Sequence, residues 1–303
     1  MKATLSPVIQ HIVQYTISSS DAVEKLNRGI KRYRRMLEFA RGAVHIAEIE
    51  FGIADMLITR DDPYDWREAA RLYNDILERA TYGYLRGAAL AGKAELAIRK
   101  TDAADIALAI SWAQEAHVIL HKFMGDHDFF TLKSLVVEAE LRLKRNGKGD
   151  RVRAVNRLQK VAQNLKAVPY WRARALVGVA ENKAFGALSL PIKMCQTAMA
   201  LLDDRPKDYF FLKARLVESE LRLRRGTTAD KKYAHPSFLK VAGDASDLPS
   251  LRARALLDAA GQAKPDKARK LCEDVKKMDA LEPYLTDRAD AILKNISNAG
   301  RKK

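Results

Sequence analysis

One passage of this chain occurs twice. Residues 128–145 read DFFTLKSLVVEAELRLKR and residues 208–225 read DYFFLKARLVESELRLRR. A shift of 80 residues carries Leu132 onto Leu212, Lys133 onto Lys213, Val137 onto Val217, Glu138 and Glu140 onto Glu218 and Glu220, and Leu141–Arg145 onto Leu221–Arg225. The same shift carries Lys160, Val161 and Ala162 onto Lys240, Val241 and Ala242, and PYWRARAL at 169–176 onto PSLRARAL at 249–256. A register held without a gap over more than 40 residues makes each block a structural unit. Units that bury one face against the next are how solenoids are built.

The repeat is written in helical language. Gly and Pro number only 15 and 9 of 303 residues and fall between segments. Within the segments Ala, Leu, Arg, Lys and Glu dominate, with apolar residues three and four apart. Alternating strand patterns are nearly absent. The expected fold class is all-α, with about twelve to fifteen helices if helices and loops have ordinary lengths. A hydrophobic content of 48% is ample for a buried core. Cys195 and Cys272 form no disulfide framework and no CxxC knuckle, which suggests a reducing compartment, the cytoplasm. Residues 1–20 are interrupted by Pro7, Gln10, His11 and Gln14 and lack a signal-peptide core. No apolar run reaches the roughly 18 to 20 residues of a membrane span, so the expectation is a soluble protein without a membrane partner.

Each 80-residue block divides into two helical hairpins, and the second helix of each hairpin carries a recurring triplet. A small residue is followed by a second residue four later and a third three later: Ala69, Tyr73 and Ile76; Ala109, Ala113 and Ala116; Ala154, Leu158 and Val161; Ala234, Phe238 and Val241; Ala268, Cys272 and Val275; and, most loosely, Pro191, Cys195 and Ala198. Residues so spaced share one helix face, and the small member lets a partner helix approach closely. The triplet is a packing code, and it makes both cysteines core residues.

DWREAARLYNDILERA at 65–80 resembles the second helix of the tetratricopeptide-repeat (TPR) family, and Phe51-Gly52, Ala91-Gly92 and Val177-Gly178 resemble its large-then-glycine pair in the first helix. The resemblance covers roughly residues 40 to 280, about six hairpins. Units here run close to 40 residues against the family's roughly 34, its tryptophan is missing and its closing proline is mostly absent. The resemblance implies a right-handed helical-hairpin solenoid, a TPR-like superhelix, whose first helices line a concave groove that holds a peptide or protein without catalysis or cofactor. The expected organisation is an N-terminal helical extension with a basic helix over 1–40, the solenoid over 41–280, and a C-terminal capping helix with a basic tail over 281–303.

Charge is unevenly placed. Residues 142–225 hold 20 Lys and Arg against 7 Asp and Glu, an excess of 13 out of +16 for the whole chain. Arg142, Lys144, Arg145, Lys148, Arg151, Arg153, Arg157 and Lys160 flank one NGKG turn and are offset only by Asp150. They should form a basic edge, repeated at Arg222, Arg224 and Arg225. Arg86, Arg172 and Arg252 recur at the starts of first helices, with Arg174 and Arg254 beside the latter two, and the TPR-like register puts these arginines in the groove. Lys25, Arg28, Lys31, Arg32, Arg34 and Arg35 occupy an early helix that Asp21 and Glu24 start as a capping box. Within the repeated helix Glu138 precedes Arg142, Glu140 precedes Lys144, Glu218 precedes Arg222 and Glu220 precedes Arg224 by four residues. Each such pair stabilises a helix by roughly 0.2 to 0.5 kcal/mol.

No phosphate-binding GxxxxGK[ST], dinucleotide GxGxxG, HExxH or GxSxG motif is present. His117 and His121, one helical turn apart, with Asp126, His127 and Asp128 following, have a nonspecific metal-ligand spacing, and exposed histidines at a helix end are the simpler reading. The expected function is a non-enzymatic scaffold that binds an acidic protein or peptide through the groove arginines and the basic edge. A helical-repeat nucleic-acid binder using the 142–225 belt is the alternative; Tyr170 and Trp171 are a clear aromatic pair among its bases, but the aromatic interleaving typical of base stacking is lacking.

Overall fold

The computed structural model of the protein describes residues 23–60, 64–79, 83–98, 103–184, 186–278 and 281–300. Asp21 of the capping box, residues 1–22 and the basic tail at 301–303 lie outside the described residues. Among the described residues there are fourteen helices and no strand. They are α1 (Val23–Phe39), α2 (Ala43–Arg60), α3 (Asp65–Arg79), α4 (Tyr84–Ile98), α5 (Ala103–Met124), α6 (Phe129–Arg145), α7 (Asp150–Gln163), α8 (Pro169–Asn182), α9 (Ser189–Leu201), α10 (Tyr209–Arg225), α11 (Thr228–Asp244), α12 (Pro249–Ala260), α13 (Pro265–Lys276) and α14 (Pro283–Gly300).

The chain divides into two compact units, residues 1–182 and 183–303. In the first, each helix from α1 to α8 packs on the next, and α2, α4, α6 and α8 also touch one another in succession. In the second, α9 to α14 follow the same sequential rule, with additional contacts from α10 to α12 and from α12 to α14. Packing of neighbours in chain order is the contact pattern of a helical repeat.

Helix boundaries follow from local chemistry. Asp128 begins α6 by accepting the backbone N–H of Phe130 and of Thr131, both at 2.9 Å, and Asp208, its counterpart under the internal shift, accepts the N–H of Phe210 at 2.7 Å. Both satisfy donors that a helix start leaves bare. At the other end Asn146 and Gly226 take left-handed conformations with φ of 52° and 79°, each closing the helix with its own N–H.

The two kinds of helix bury themselves differently. In α2, ten consecutive residues from Ile49 to Ile58 are buried, and α6 is buried from Phe129 to Ala139. Helices apolar on all sides are clasped on all sides. By contrast α3 and α7 bury one stripe each. Every residue of the six triplets is buried, including Cys195 and Cys272 at 0% exposure. In two of the triplets the middle residue meets the glycine of the following helix: a Cβ on Gly92 would lie 2.4 Å from the Tyr73 ring, and one on Gly178 would lie 2.8 Å from Leu158 Cδ1. There the large-then-glycine pair and the triplet are two halves of one contact. Around it, Phe51 packs edge-on against Phe130 at 5.2 Å and tilted against Tyr73 at 6.0 Å, geometries worth roughly 0.5 to 1.5 kcal/mol per pair beyond burial itself.

Candidate partner-binding edge

The repeated acid and base residues build a buried network, and they build it twice. Arg142 Nε donates to Glu138 Oε1 at 2.9 Å and its Nη1 to Asp150 Oδ1 at 3.2 Å. Arg145 donates Nε and Nη2 to the two oxygens of Asp150, both at 2.7 Å, and the Gly147 N–H adds a third partner at 3.0 Å. In the second unit Arg222 bridges Glu218 and Asp230, and Arg225 grips Asp230 with two bonds of 2.8 and 2.7 Å. Glu138 and Glu218 are each 1% exposed, and Asp150 and Asp230 0%. The hydrogen bonds from Arg145 hold the Asp150 carboxyl well below the usual carboxylate range, and those from Arg225 do the same for Asp230. Glutamines complete both copies, Gln114 on Glu138 at 3.0 Å and Gln196 on Glu218 at 2.9 Å. The remaining oxygen of each glutamate has a different neighbour: Arg157 Nε at 3.0 Å from Glu138 Oε2, but Tyr233 Oη donating to Glu218 Oε2 at 2.9 Å.

Glu140 and Glu220 behave otherwise than their spacing predicts. Neither pairs with the base four residues on. Glu140 takes both arms of Arg174 from α8, the Nε bond being 2.8 Å, and Glu220 takes Nε and Nη2 of Arg254 from α12, both at 2.8 Å. A planar guanidinium matches a carboxylate fork better than a helix-surface lysine can, so the cross-helix pair prevails. Arg174 is 7% exposed, lies 5.1 Å from the Trp171 ring centroid and reaches Glu95 in α4 at 3.1 Å. Glu95 in turn accepts Lys133 at 2.8 Å, and Lys133 donates to Asp55 in α2 at 2.6 Å. Asp55, Lys133, Glu95, Arg174 and Glu140 thus form an alternating-charge ladder through α2, α4, α6 and α8. Sequence reasoning passed over Asp55, Glu95 and Lys133. The available signal was a charge embedded in an apolar run, as in IADMLI, KAELAI and TLKSLVV.

The other expected groove arginines are less buried. Arg86 pairs with Glu115 of α5 at 3.0 Å, Arg172 donates to the Ala162 carbonyl at 3.2 Å, and Arg252 is exposed. Along the expected edge, Lys160 pairs with Asp126 at 3.2 Å and Lys144 donates to the Ile98 carbonyl. Arg151 donates Nε to the Asn182 carbonyl at 2.7 Å and makes no ion pair among the described residues. Lys148, Arg153 and Arg224 are exposed and make no ion pair among the described residues. The expected edge residues therefore resolve within each unit into inner arginines that hold the turn together, Arg142 and Arg145 in the first and Arg222 and Arg225 in the second, and outer cations that face solvent, Lys148, Arg151 and Arg153 in the first and Arg224 in the second.

The histidine group is dispersed among other duties. His117 and His121 rings are 5.8 Å apart. Burial, with the charges of Lys160, Arg157 and His121, pushes the His117 pKa down. His121 Nδ1 lies 3.2 Å from Asp126, Asp128 is committed to capping α6, and His127 is exposed. Among the described residues no group of three or more His, Cys, Asp or Glu side chains is placed to hold a metal ion. No described helix is long and apolar enough to cross a membrane.

No protein-family model matches the chain, and no curated protein is similar to it.

Proposed function

We propose that the protein is a non-enzymatic scaffold, a right-handed TPR-like superhelix of about six hairpins over residues 41–280 with α1 and α14 at its ends, that binds an acidic protein or peptide in the cytoplasm. The observation that carries this reading is the turn between α6 and α7. Asp150 fixes that turn through Arg142, Arg145 and Gly147, and Lys148, Arg151 and Arg153 are exposed on it without a carboxylate partner among the described residues. A rigid turn presents these charges at little cost in conformational entropy, which favours capture of a complementary surface. Uncompensated charge of one sign also raises the rate of encounter. In this reading Arg86, Arg172, Arg174, Arg252 and Arg254 belong to the wall of the groove, where Arg174 and Arg254 shape it through Glu140 and Glu220 while Arg252 stays available to a ligand.

The test is a triple variant, K148A/R151A/R153A, which spares Arg142 because that side chain holds two buried carboxylates. Two probes separate the partner classes: a glutamate-rich peptide and a DNA duplex of equal charge, titrated across a range of salt concentrations. The proposal expects the peptide to bind with an association rate that falls in the variant while the fold persists. If the duplex binds instead, and the variant lowers its log–log salt slope by about 2.7, as loss of three phosphate contacts would at roughly 0.9 each, the protein is a nucleic-acid binder. Equal rates for wild type and variant at low salt would show that these outer cations are only a solvated face.

A further inference from the structure

A further set of exposed cations without an ion pair among the described residues lies on α1, outside the repeated helices. Leu26, Ile30 and Tyr33 are at most 3% exposed and form the buried stripe of α1, which packs against α2. Arg34, to one side of that stripe, pairs with Glu68 of α3 at 2.7 Å. Arg28, Lys31, Arg32 and Arg35 occupy the opposite face, within an arc of about 100° at 100° per residue, all exposed and without an ion pair among the described residues. No acid falls between Glu24 and Glu38. Met36 and Phe39 extend the same face, the latter 77% exposed, and together the six side chains line an open groove.

This stripe has a period. Its charges recur at intervals of three and four residues, about 5.4 Å apart along the axis. Another α-helix repeats its side chains at the same interval, so carboxylates spaced three and four residues apart on a partner helix can meet three of the cations at once, Arg28, either Lys31 or Arg32, and Arg35. A flat anionic surface or a flexible acidic segment has no such register to match. The apolar end, Met36 and Phe39, gives the partner's next turn a place to bury one apolar side chain, which fixes which way along α1 the partner lies. Arginine supplies three of the four charges, and its fork suits bidentate carboxylate bonds.

We propose that the outward face of α1 docks an acidic amphipathic helix of a partner protein, with its carboxylates in phase with Arg28, Lys31 or Arg32, and Arg35, and an apolar residue against Phe39. The proposal rests on the reading of an acidic partner and adds a second surface, separate from the α6–α7 turn, together with the conformation of what binds there.

The experiment uses the full chain and three synthetic probes. One is an alanine-based helix with glutamates at i, i+4 and i+7 and a leucine at i+11; the second has the same composition with the glutamates spread around the helix; the third is a short DNA duplex. The in-phase peptide should bind about tenfold more tightly than the scrambled one, the advantage of roughly three exposed ion pairs formed together. R28E/R32E/R35E should abolish that advantage and leave the thermal melt unchanged, and F39A should weaken the in-phase peptide alone. K148A/R151A/R153A should leave peptide binding at α1 intact, so failure of the edge and failure of this surface are told apart. Equal binding of the two peptides, or tighter binding of the duplex that R28E/R32E/R35E removes, would overturn the proposal.

Discussion

Replacing Lys133 with Met tests the charge ladder at its most enclosed member. Lys133 is 3% exposed and sits between Asp55 of α2 and Glu95 of α4, which are 2% and 8% exposed. Burial opposes its charge, but Asp55 and then Glu95 outweigh that and hold the ammonium pKa above the ordinary lysine value. Methionine keeps the length and the apolar stem, so packing changes little and the loss is nearly all electrostatic. Glu95 retains Arg174, whereas Asp55 loses its lysine. Removing one partner of a buried pair costs about 3 to 5 kcal/mol, which for a unit of this size lowers the melting temperature by roughly 6 to 20 °C. Urea unfolding followed by circular dichroism measures the loss. A rescue completes the test: adding D55L removes the carboxylate that Lys133 neutralises, and a buried ion pair replaced by apolar residues is often neutral or stabilising. D55L/K133M should therefore recover most of the stability that K133M loses. A K133M protein within about 1 kcal/mol of wild type, or a double variant no more stable than the single one, would refute the claim that these charges are buried and mutually dependent.

Gly92→Ala should destabilise the first unit by about 1 to 3 kcal/mol through overpacking against Tyr73, and G92A/Y73F, which shortens the ring by its hydroxyl, should recover part of it in thermal melts. Glu220 has its pKa pushed up to about 7 by burial, reinforced by Asp258 and opposed by Arg254. A folded pKa above the unfolded one means stability that is complete below about 4.5 and lost as pH rises to about 7; Glu220→Gln should remove that slope in melts across the range. His117→Ala with His121→Ala should leave stability and partner binding intact, a result that stoichiometric metal in the wild type, absent from the variant, would contradict. Limited trypsin digestion should trim the ends only, if the solenoid is continuous; cleavage at Lys183 leaving two folded fragments would refute continuity.

Helix, order and packing face were legible because each is a periodic property. The triplet at Ala154, Leu158 and Val161 needs only the helical repeat to place three side chains on one face, and the 80-residue shift finds its copy at Ala234, Phe238 and Val241. Ion pairing was legible only where it is local. Glu138 with Arg142 and Glu218 with Arg222 form as their spacing of four predicts, but Glu140 and Glu220 turn to arginines 34 residues ahead, a contact set by how α6 meets α8 and α10 meets α12. Lys133 was hidden for the same reason: its partners lie in two other helices, one 78 residues away. Along the basic edge, composition reports total charge, whereas available charge depends on which carboxylate each cation finds. Asp150 alone draws both Arg142 and Arg145 inward, and no count of bases and acids distinguishes those two from Arg151 and Arg153.

The internal duplication separates these roles without reference to any other protein. Positions that keep their residue type across the shift at Glu138, Glu140, Arg142, Arg145, Asp150 and Arg174 are bonded in both units to the same counterpart types. Positions that change type are those where the neighbours differ. Arg153 becomes Tyr233, which turns in to Glu218 and lies under Arg222 at 4.3 Å, while Arg153 itself stays in solvent. Gly178 becomes Asp258, which brings a second carboxylate to Glu220 and an ion pair to Arg288 of α14 at 2.5 Å. Lys148 becomes Thr228 and withdraws a charge from the equivalent turn. The shared residues fix a turn of one geometry in both units, and the differing residues decide which positions carry its exposed charge: Lys148, Arg151 and Arg153 in the first unit and Arg224, Lys231 and Lys232 in the second, none with an ion pair among the described residues. What separates the two turns is therefore the position of their exposed charges and the exchange of Arg153 for Tyr233, which donates to Glu218, on a framework that is the same in both.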